Sequence, residues 1–295
     1  MADRILTADE GQKSLLLREK KIKMAAMDLD GTMLDSEKRI SLRTQEAIHR
    51  AMEQGTHIVI STGRSYSSLP EQVFEIDGLE YVINSNGASI TNLKSGLRVY
   101  ENCLETAAAA EVLEILQKNR CHFEVFVDGR AYDDQEEYEK IRKNGSTYRR
   151  SSYVLGTRTP VPDLYVFAME HAGKLENINL NFADLEERSR MLKILKSRED
   201  ITLTSSDPHN LEIGNRTTSK AEALRCLSET LSVNRNEVIA FGDSMNDFKM
   251  LEFAGIAVAM GNADERLKQA ADLVTKTNDD DGVAIVMEVL LDQEV

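Results

Sequence analysis

Two aspartates separated by one residue follow a short apolar run near the start of the chain. The run is KMAAM (23–27), and the segment after it reads DLDGT, which contains Asp28 and Asp30. Carboxylates this close repel each other, and a cation or a shared proton makes the arrangement tolerable. The pair is therefore a candidate catalytic or metal-binding site, although an acidic turn after a strand would account for the same letters.

A second pair of aspartates lies far along the chain, in the segment GDSMND. Asp243 follows Gly242 at the end of an apolar run, and Asp247 lies four residues later at a predicted helix start. Asp247 alone is explained by the helix dipole, which favours an acid in the first turn. Together the two aspartates offer the oxygen ligands that Mg²⁺ prefers, so we expect a magnesium site.

Three other polar residues lie where predicted strands end or helices begin. Lys220 opens a predicted helix, where its charge opposes the helix dipole and a bound phosphate would compensate it. Ser61 follows the apolar run HIVI and Asn246 precedes a helix. Each of these two is also explained as a helix N-cap.

Short apolar runs alternate with segments of helical period along the chain. Predicted strands cover 23–27, 57–60, 81–84, 237–241 and 255–259, and predicted helices cover 219–231, 246–253 and 280–291. A further helix is N-capped by Ser41 and ends before Gly55. This order predicts an α/β fold with a Rossmann-like, doubly wound parallel sheet. Ligands bind at the carboxyl ends of such strands, so the aspartates and Ser61 should meet in one crevice.

The spacing of these elements predicts an inserted domain. Ser61 and Lys220 are 159 positions apart, about three times what the intervening core strand and its connections need. The excess has α+β character, with predicted helices at 106–118, 134–143 and 184–197 and predicted strands at 122–128 and 177–182. We therefore predict an N-terminal extension over 1–22, a core over 23–104, an inserted α+β cap domain over 105–204 and the rest of the core over 205–295.

Five segments in this order resemble one family. They are MDLDGT (27–32), ISTGR (60–64), SNGA (85–88), SK (219–220) and GDSMNDFKML (242–251). Together they are similar to the haloacid dehalogenase-like superfamily, and more narrowly to its Cof-type hydrolases with an α+β cap of class IIB. The resemblance covers Lys23 to about residue 291. Lys220 is followed by Ala221, where the family usually has glycine.

The resemblance implies a role for each motif residue. Asp28 would be the nucleophile that forms an aspartyl-phosphate, and Asp30 the general acid and base. For Asp30 to act as an acid, its pKa must lie high enough to keep a proton near neutrality. Ser61, Thr62, Lys220 and Asn246 would bind the transferring phosphoryl group. Mg²⁺ would contact the Asp28 carboxylate, the backbone carbonyl of Asp30 and Asp243, with Asp247 bound directly or through water.

The expected activity is Mg²⁺-dependent hydrolysis of a small phosphorylated metabolite, such as a sugar phosphate or a phosphorylated cofactor. A phosphomutase or phosphotransferase of the same superfamily is the alternative enzyme, and a non-catalytic phosphate-binding module is a third reading. Basic residues of the predicted cap offer contacts for a second anionic group, although we expect them to form a solvated surface. They are Arg142, Lys143, Arg149, Arg150 and Arg158. Asn86 and Gly87 either shape the rim of the crevice or form a plain turn.

Composition excludes several other classes. The 36 Lys and Arg against 50 Asp and Glu give a net charge of −14, which argues against nucleic acid or an anionic membrane as a partner. Neither G-x-x-x-x-G-K-[ST] nor G-x-G-x-x-G occurs, which disfavours a P-loop ATPase and a nicotinamide enzyme. The 3 cysteines have no C-x-x-C spacing and fit a reducing cytoplasm. The oligomeric state does not follow from the sequence.

Overall fold

The computed structural model describes residues 21–292, so residues 1–20 of the predicted extension lie outside the described part of the chain. The described strands, in chain order, are β1 (Met24–Met27), β2 (His57–Ser61), β3 (Tyr81–Asn84), β4 (Ser89–Asn92), β5 (Arg98–Glu101), β6 (Phe123–Val127), β7 (Arg130–Asp134), β8 (Arg158–Val161), β9 (Leu175–Asn181), β10 (Ile201–Thr204), β11 (Asn210–Asn215), β12 (Val238–Gly242), β13 (Ile256–Ala259) and β14 (Leu273–Val274). The described α-helices are α1 (Leu42–Glu53), α2 (Glu71–Phe74), α3 (Thr106–Lys118), α4 (Gln135–Asn144), α5 (Ser151–Thr157), α6 (Leu164–Glu170), α7 (Leu185–Leu195), α8 (Lys220–Thr230), α9 (Phe248–Phe253), α10 (Glu265–Ala270) and α11 (Gly282–Leu291). None of these helices is long and apolar enough to span a bilayer.

The first sheet contains eight of the strands found within residues 21–292. Their order is β14, β13, β12, β1, β2, β3, β4 and β5. The strands from β14 to β3 run parallel, and β4 and β5 add antiparallel strands at one edge. β1 and β12 are buried at every position, as expected for central strands that are covered on both faces.

Helices cover both faces of the first sheet. α1 packs against α11, and α8 packs against α9. α1 links β1 to β2 and α9 links β12 to β13, and these two connections lead in opposite directions along the sheet. Because parallel crossovers are right-handed, helices on connections of opposite direction lie on opposite faces. The predicted Rossmann-like, doubly wound fold is therefore confirmed.

The helix predicted after Ser41 shows how local sequence sets an element boundary. The Oγ of Ser41 accepts a hydrogen bond from the backbone N–H of Thr44 at 3.1 Å, which is the N-cap contact expected of serine. Ala47, Ile48 and Ala51 form the buried face of the helix. This helix connects β1 to β2 and so brings their carboxyl ends side by side.

The second sheet has the order β10, β11, β9, β6, β7 and β8 within the described chain. All neighbouring strands are antiparallel except β7 and β8, which run parallel. α3, α6 and α7 pack on one face of this sheet and form a separate apolar core with it. The α+β character predicted for the insert is present in this unit.

Two neighbouring segments connect the sheets. The Nδ2 of Asn215 donates to the carbonyl of Cys103 at 2.8 Å, and the Oγ1 of Thr218 donates to the carbonyl of Asn102 at 3.0 Å. The insert is predicted to end at residue 204, whereas the later strand β11 pairs with β9 and β10 of the second sheet. We propose that the insert runs from residue 105 to Asn215.

Candidate active site

The carboxyl ends of the central parallel strands bring the predicted aspartates together. Asp28 follows β1, and Asp243 and Asp247 follow β12, which is the neighbour of β1. One carboxylate oxygen from each of these three residues lies within 4.8 Å of the others. The cluster is held by two strands and one turn, so its geometry depends on the register of β1 against β12.

Lys220 is the cation nearest to this cluster. It is 1% exposed, and its Nζ donates to Asp28 Oδ1 at 2.5 Å and to Asp247 Oδ1 at 2.6 Å. Burial lowers the pKa of Lys220, but the charges of Asp247 and Asp28 outweigh burial and raise this pKa above its usual value. The lysine is therefore charged and bridges the two predicted motifs.

Asp247 organises the turn after β12. Its Oδ2 accepts hydrogen bonds from the backbone N–H groups of Asp243 and Ser244, both at 3.0 Å. A side chain at Gly242 would clash, because a Cβ there would lie 2.5 Å from the Cβ of Asp247. With Oδ1 held by Lys220, both oxygens of Asp247 already accept hydrogen bonds, so its role is to hold the lysine and the turn in place.

Asp243 lines the cavity, and each of its carboxylate oxygens accepts one hydrogen bond. Thr32 donates to its Oδ1 and Ser244 to its Oδ2, each at 2.9 Å. Burial and the charge of Asp247 raise the pKa of Asp243 to about 6. Gly31 of the DLDGT motif has a φ of +81°, and a Cβ there would lie 2.5 Å from Asp243 Oδ2. Glycine at this position thus makes room for the carboxylate.

The charge balance of the cluster favours a bound cation. Burial raises the pKa of Asp28 well above its usual value, Lys220 lowers it, and the charges of Asp247 and Asp243 raise it again. One lysine therefore does not neutralise three carboxylates. A divalent cation beside Asp28 and Asp243 would do so, and oxygen-only ligands suit Mg²⁺.

Asp30 lies in a different electrostatic environment from Asp28. Arg64 donates to it from Nε at 2.6 Å and Nη2 at 2.7 Å, and Lys38 Nζ donates at 2.9 Å. Burial raises the pKa of Asp30, but the hydrogen bonds and charges of Arg64 and Lys38 lower it to about 2. The pKa near neutrality required of a general acid is not found while these ion pairs persist. Arg64 is the last residue of the ISTGR segment (60–64). Its place in that motif could have identified it as a site residue, but it was not among the predicted ones.

The predicted phosphate-binding residues line the cavity or lie just behind it. Thr62 and Asn246 line it, whereas Ser61 is fully buried. Ser61 Oγ and Asn246 Oδ1 have no hydrogen-bond partner among the described residues. Asn246 Nδ2 donates to Asn86 Oδ1 at 3.1 Å, and Asn86 is a buried residue of the turn after β3.

The cavity has a volume of about 790 Å³ and lies between the two sheets. Arg149, Arg150 and Arg158 line it, whereas Arg142 and Lys143 do not. The expectation that these basic residues form a solvated surface is wrong for Arg149 and Arg158. The side chains of Arg149 and Arg158 are 7% and 5% exposed, and both donate to buried Glu124. Burial raises the pKa of Glu124, but the two arginines outweigh it and hold this pKa well below its usual range.

Tyr153 of α5 connects the two halves of the cavity. The guanidinium carbons of Arg64 and Arg158 each lie 4.8 Å from the centre of its ring. Arg64 belongs to the first sheet's loops and Arg158 to the second sheet. Cation–π contacts of this kind contribute about 0.5–2 kcal/mol each, so the ring stabilises the observed approach of the two sheets.

Comparison with known proteins agrees with this chemistry. A family model described as haloacid dehalogenase-like hydrolase matches residues 25–287. The phosphatase YwpJ of Bacillus subtilis is 33% identical over 296 residues, which cover 92% of this chain and 100% of that protein. The 5-amino-6-(5-phospho-D-ribitylamino)uracil phosphatase YcsE of the same organism is 31% identical over 266 residues, 89% of this chain and 93% of that one. A solved haloacid dehalogenase-like hydrolase from B. subtilis has a TM-score of 0.79 at 32% identity, covering 90% of this chain and 99% of that chain.

The fold and the site together define a phosphatase, a hydrolase that acts on phosphate esters. The chain belongs to the haloacid dehalogenase-like hydrolases, in their Cof-type branch. The family predicted from the five motifs is therefore confirmed.

Proposed function

We propose that this protein is a Mg²⁺-dependent cytoplasmic phosphohydrolase that cleaves a small phosphorylated metabolite through an aspartyl-phosphate on Asp28. The observation that carries the proposal is the position of Asp28 at the cavity, hydrogen-bonded to buried Lys220 and grouped with two further carboxylates. Lys220 favours the ionised form of Asp28, which is the form that attacks phosphorus.

The residues present fit a magnesium ion. Asp28, Asp243 and the backbone carbonyl of Asp30 would hold it, and Asp247 would act through water because it is fully buried and does not line the cavity. The ion would offset the excess carboxylate charge and the charge of the phosphate dianion. The acidic chain would then have a local site that attracts an anion.

The two chemical steps use Asp28 and Asp30. An oxygen of Asp28 attacks phosphorus, the bond from phosphorus to the ester oxygen breaks, and that oxygen takes a proton from Asp30. Water then attacks phosphorus and gives its proton to Asp30, releasing inorganic phosphate and restoring the Asp28 carboxylate. The observed ion pairs keep Asp30 ionised, as the second step requires. For the first step we propose that the substrate phosphate draws Arg64 away from Asp30, which raises the pKa of this carboxyl.

Ser61, Thr62, Lys220 and Asn246 are proposed to bind the phosphoryl group. The unpartnered Ser61 Oγ supports the assignment of Ser61, since a hydroxyl can donate to phosphate and buried polar atoms normally have a hydrogen-bond partner. A sugar phosphate or a phosphorylated cofactor intermediate is the proposed substrate class. The relative YcsE, named for a phosphorylated ribitylaminouracil, supports this choice. Nucleic acid and membranes are not expected partners.

Hydrolysis of an aryl phosphate tests the proposal. We expect phosphate release that needs Mg²⁺, stops with excess chelator and is abolished in Asp28→Asn, while the exposed control Asp77→Asn keeps it. Mass spectrometry of rapidly quenched enzyme should show a phosphoryl adduct on the peptide that contains Asp28. Full turnover by Asp28→Asn would contradict the mechanism. With a hexose monophosphate, inorganic phosphate supports hydrolysis, whereas an isomeric hexose phosphate would indicate a mutase.

A further inference from the structure

One face of the second sheet is polar and borders the cavity. Glu124 of β6 lies opposite Asn179 of β9, and Asn179 lies opposite Glu212 of β11. Asn181 and Asn210 form the next cross-strand pair. We call these five residues the polar face. The opposite face of the same strands carries Val125, Ile178, Leu180, Leu211 and Ile213, which are buried in the second core.

Several atoms of the polar face lack partners although they are buried. In the part of the chain that the structure describes, Asn179 Oδ1, Asn181 Nδ2 and Glu212 Oε2 make no hydrogen bond. Asn179 and Glu212 are only 6% and 5% exposed. Leaving a buried polar group unsatisfied costs free energy, and native proteins rarely do so. All three residues line the cavity beside the candidate active site, so a ligand there can satisfy them.

The orientation of the Asn179 amide defines what that ligand must offer. Its Nδ2 donates to Glu124 Oε2 at 3.0 Å, and Glu124 is held ionised by its two arginines. The free Oδ1 of Asn179 is therefore an acceptor. Asn179 and Glu212 are directly opposite each other on the neighbouring strands β9 and β11. The carboxyl of Glu212 has acceptor capacity whether it is ionised or protonated, and neighbouring acceptors fit hydroxyl donors on adjacent carbon atoms.

The two arginines that contact the polar face offer no free charge to a second anionic group. Arg149 and Arg158 are paired with Glu124, and Arg64 is paired with Asp30. A carboxylate or second phosphate placed against the polar face would meet Glu212 without a matching cation from these three arginines.

We propose that Asn179 and Glu212 are specificity-determining residues that select a phosphate monoester whose leaving group is neutral and carries adjacent hydroxyls. The inference rests on the proposed phosphatase function. A site built to hydrogen-bond a substrate hydroxyl discriminates strongly against the analogue without it, because the buried groups of the protein are then left unpaired.

Three matched substrates test the inference in the wild-type enzyme with Mg²⁺. Sorbitol 6-phosphate and hexyl phosphate have the same six-carbon chain with and without hydroxyls, and 6-phosphogluconate replaces the terminal alcohol of sorbitol 6-phosphate by a carboxylate. We expect kcat/KM for sorbitol 6-phosphate to exceed that for hexyl phosphate by a factor on the order of 10² to 10⁴. We expect 6-phosphogluconate to be at least about tenfold poorer than sorbitol 6-phosphate.

Substitutions of Asn179 and Glu212 test whether these two residues cause the preference for the hydroxylated substrate. Asn179→Ala and Glu212→Ala should each reduce the ratio of kcat/KM for sorbitol 6-phosphate to that for hexyl phosphate by at least about tenfold, mainly through KM. The conservative Glu212→Gln should keep most of the ratio, and the exposed control Asn144→Ala should keep all of it. If a variant does not fold, the kcat/KM ratios among the three substrates in the wild-type enzyme still test the inference.

The outcomes separate this inference from the proposed function. Hydrolysis of hexyl phosphate as fast as sorbitol 6-phosphate, a preference for 6-phosphogluconate, or an unchanged ratio in both alanine variants would overturn the inference and leave the phosphatase intact. Failure to hydrolyse any phosphate ester, the aryl phosphate included, would overturn the proposed function and the inference with it.

Discussion

Replacing Lys220 by methionine removes a buried charge and keeps most of the side-chain volume. Two carboxylates, Asp28 and Asp247, then lose a partner that lies 2.5 and 2.6 Å away. Removing one partner of a buried ion pair typically costs about 3–5 kcal/mol, because the other charge stays buried and unpaired. For a chain of this size, that loss lowers Tm by roughly 6–20 °C.

Chemical denaturation of Lys220→Met without Mg²⁺ measures this cost. The penalty should shrink as pH falls, because burial raises the pKa of Asp28 and protonation of this carboxylate removes an unpaired charge. Added Mg²⁺ should also restore part of the lost free energy of unfolding, since the cation supplies charge to the same carboxylates. Phosphatase activity should remain lost, because methionine cannot contact the phosphoryl group. Lys249→Met, at an exposed position of α9, is the matched control.

Two results would refute this reasoning. A Lys220→Met protein within about 1 kcal/mol of the wild type without Mg²⁺ at pH 8 would show that the buried pairs contribute little. A penalty that is independent of both pH and Mg²⁺ would show that lost packing, rather than unpaired charge, causes the destabilisation. The triple variant with Asp28→Asn and Asp247→Asn should recover stability only if charge is the cause.

Two further predictions concern Glu212 and Gly87. Burial raises the pKa of Glu212 from 4.5 to about 7, so the native state keeps a proton that the unfolded chain releases. The free energy of unfolding of the wild type should therefore fall by up to about 3 kcal/mol between pH 4.5 and 7. Urea denaturation should show a smaller decline for Glu212→Gln. An equal decline in the variant would contradict the raised pKa of Glu212. Gly87 has a φ of +98°, and a Cβ there would lie 2.1 Å from the carbonyl oxygen of Ser219. Gly87→Ala should thus lower the free energy of unfolding by more than about 2 kcal/mol and reduce kcat by displacing Lys220. The control Gly55→Ala, at a φ of +86° with open space around it, should show the cost of backbone strain alone. Equal losses of stability in the two variants would argue against the clash.

The parts of the site that the sequence predicted are those determined by local signals. Asp28 and Asp243 each follow a continuous apolar run, and the strand period together with the order of elements places both runs in the centre of one parallel sheet. Lys220 stood out because its charge is unfavourable at a helix start unless something compensates it. In the structure the carboxylates of Asp28 and Asp247 compensate it, whereas the position of Lys220 in the sequence suggests only a bound phosphate.

The parts that escaped prediction depend on contacts between distant residues. The low pKa of Asp30 results from Arg64 and Lys38, and nothing in the spacing of these residues shows that they converge on one carboxylate. Helix α5 reads SSYVLGT, which contains few strong helix formers, so packing rather than propensity determines it. The polar face had a visible signal, the alternation NINLN in β9, but alternation alone does not reveal what the polar side of a strand faces.

The two connections between the sheets lie side by side, since Asn215 and Thr218 donate hydrogen bonds to the carbonyls of Cys103 and Asn102. The two connections of the inserted unit therefore lie next to each other, and the unit can be exchanged as one block without changing the sheet that holds the candidate catalytic aspartates. The second connection also constrains such a graft. Only residues 216–219 separate β11 from Lys220. A transplanted insert must therefore place its last strand where β11 ends, because a shift of that strand would displace Lys220.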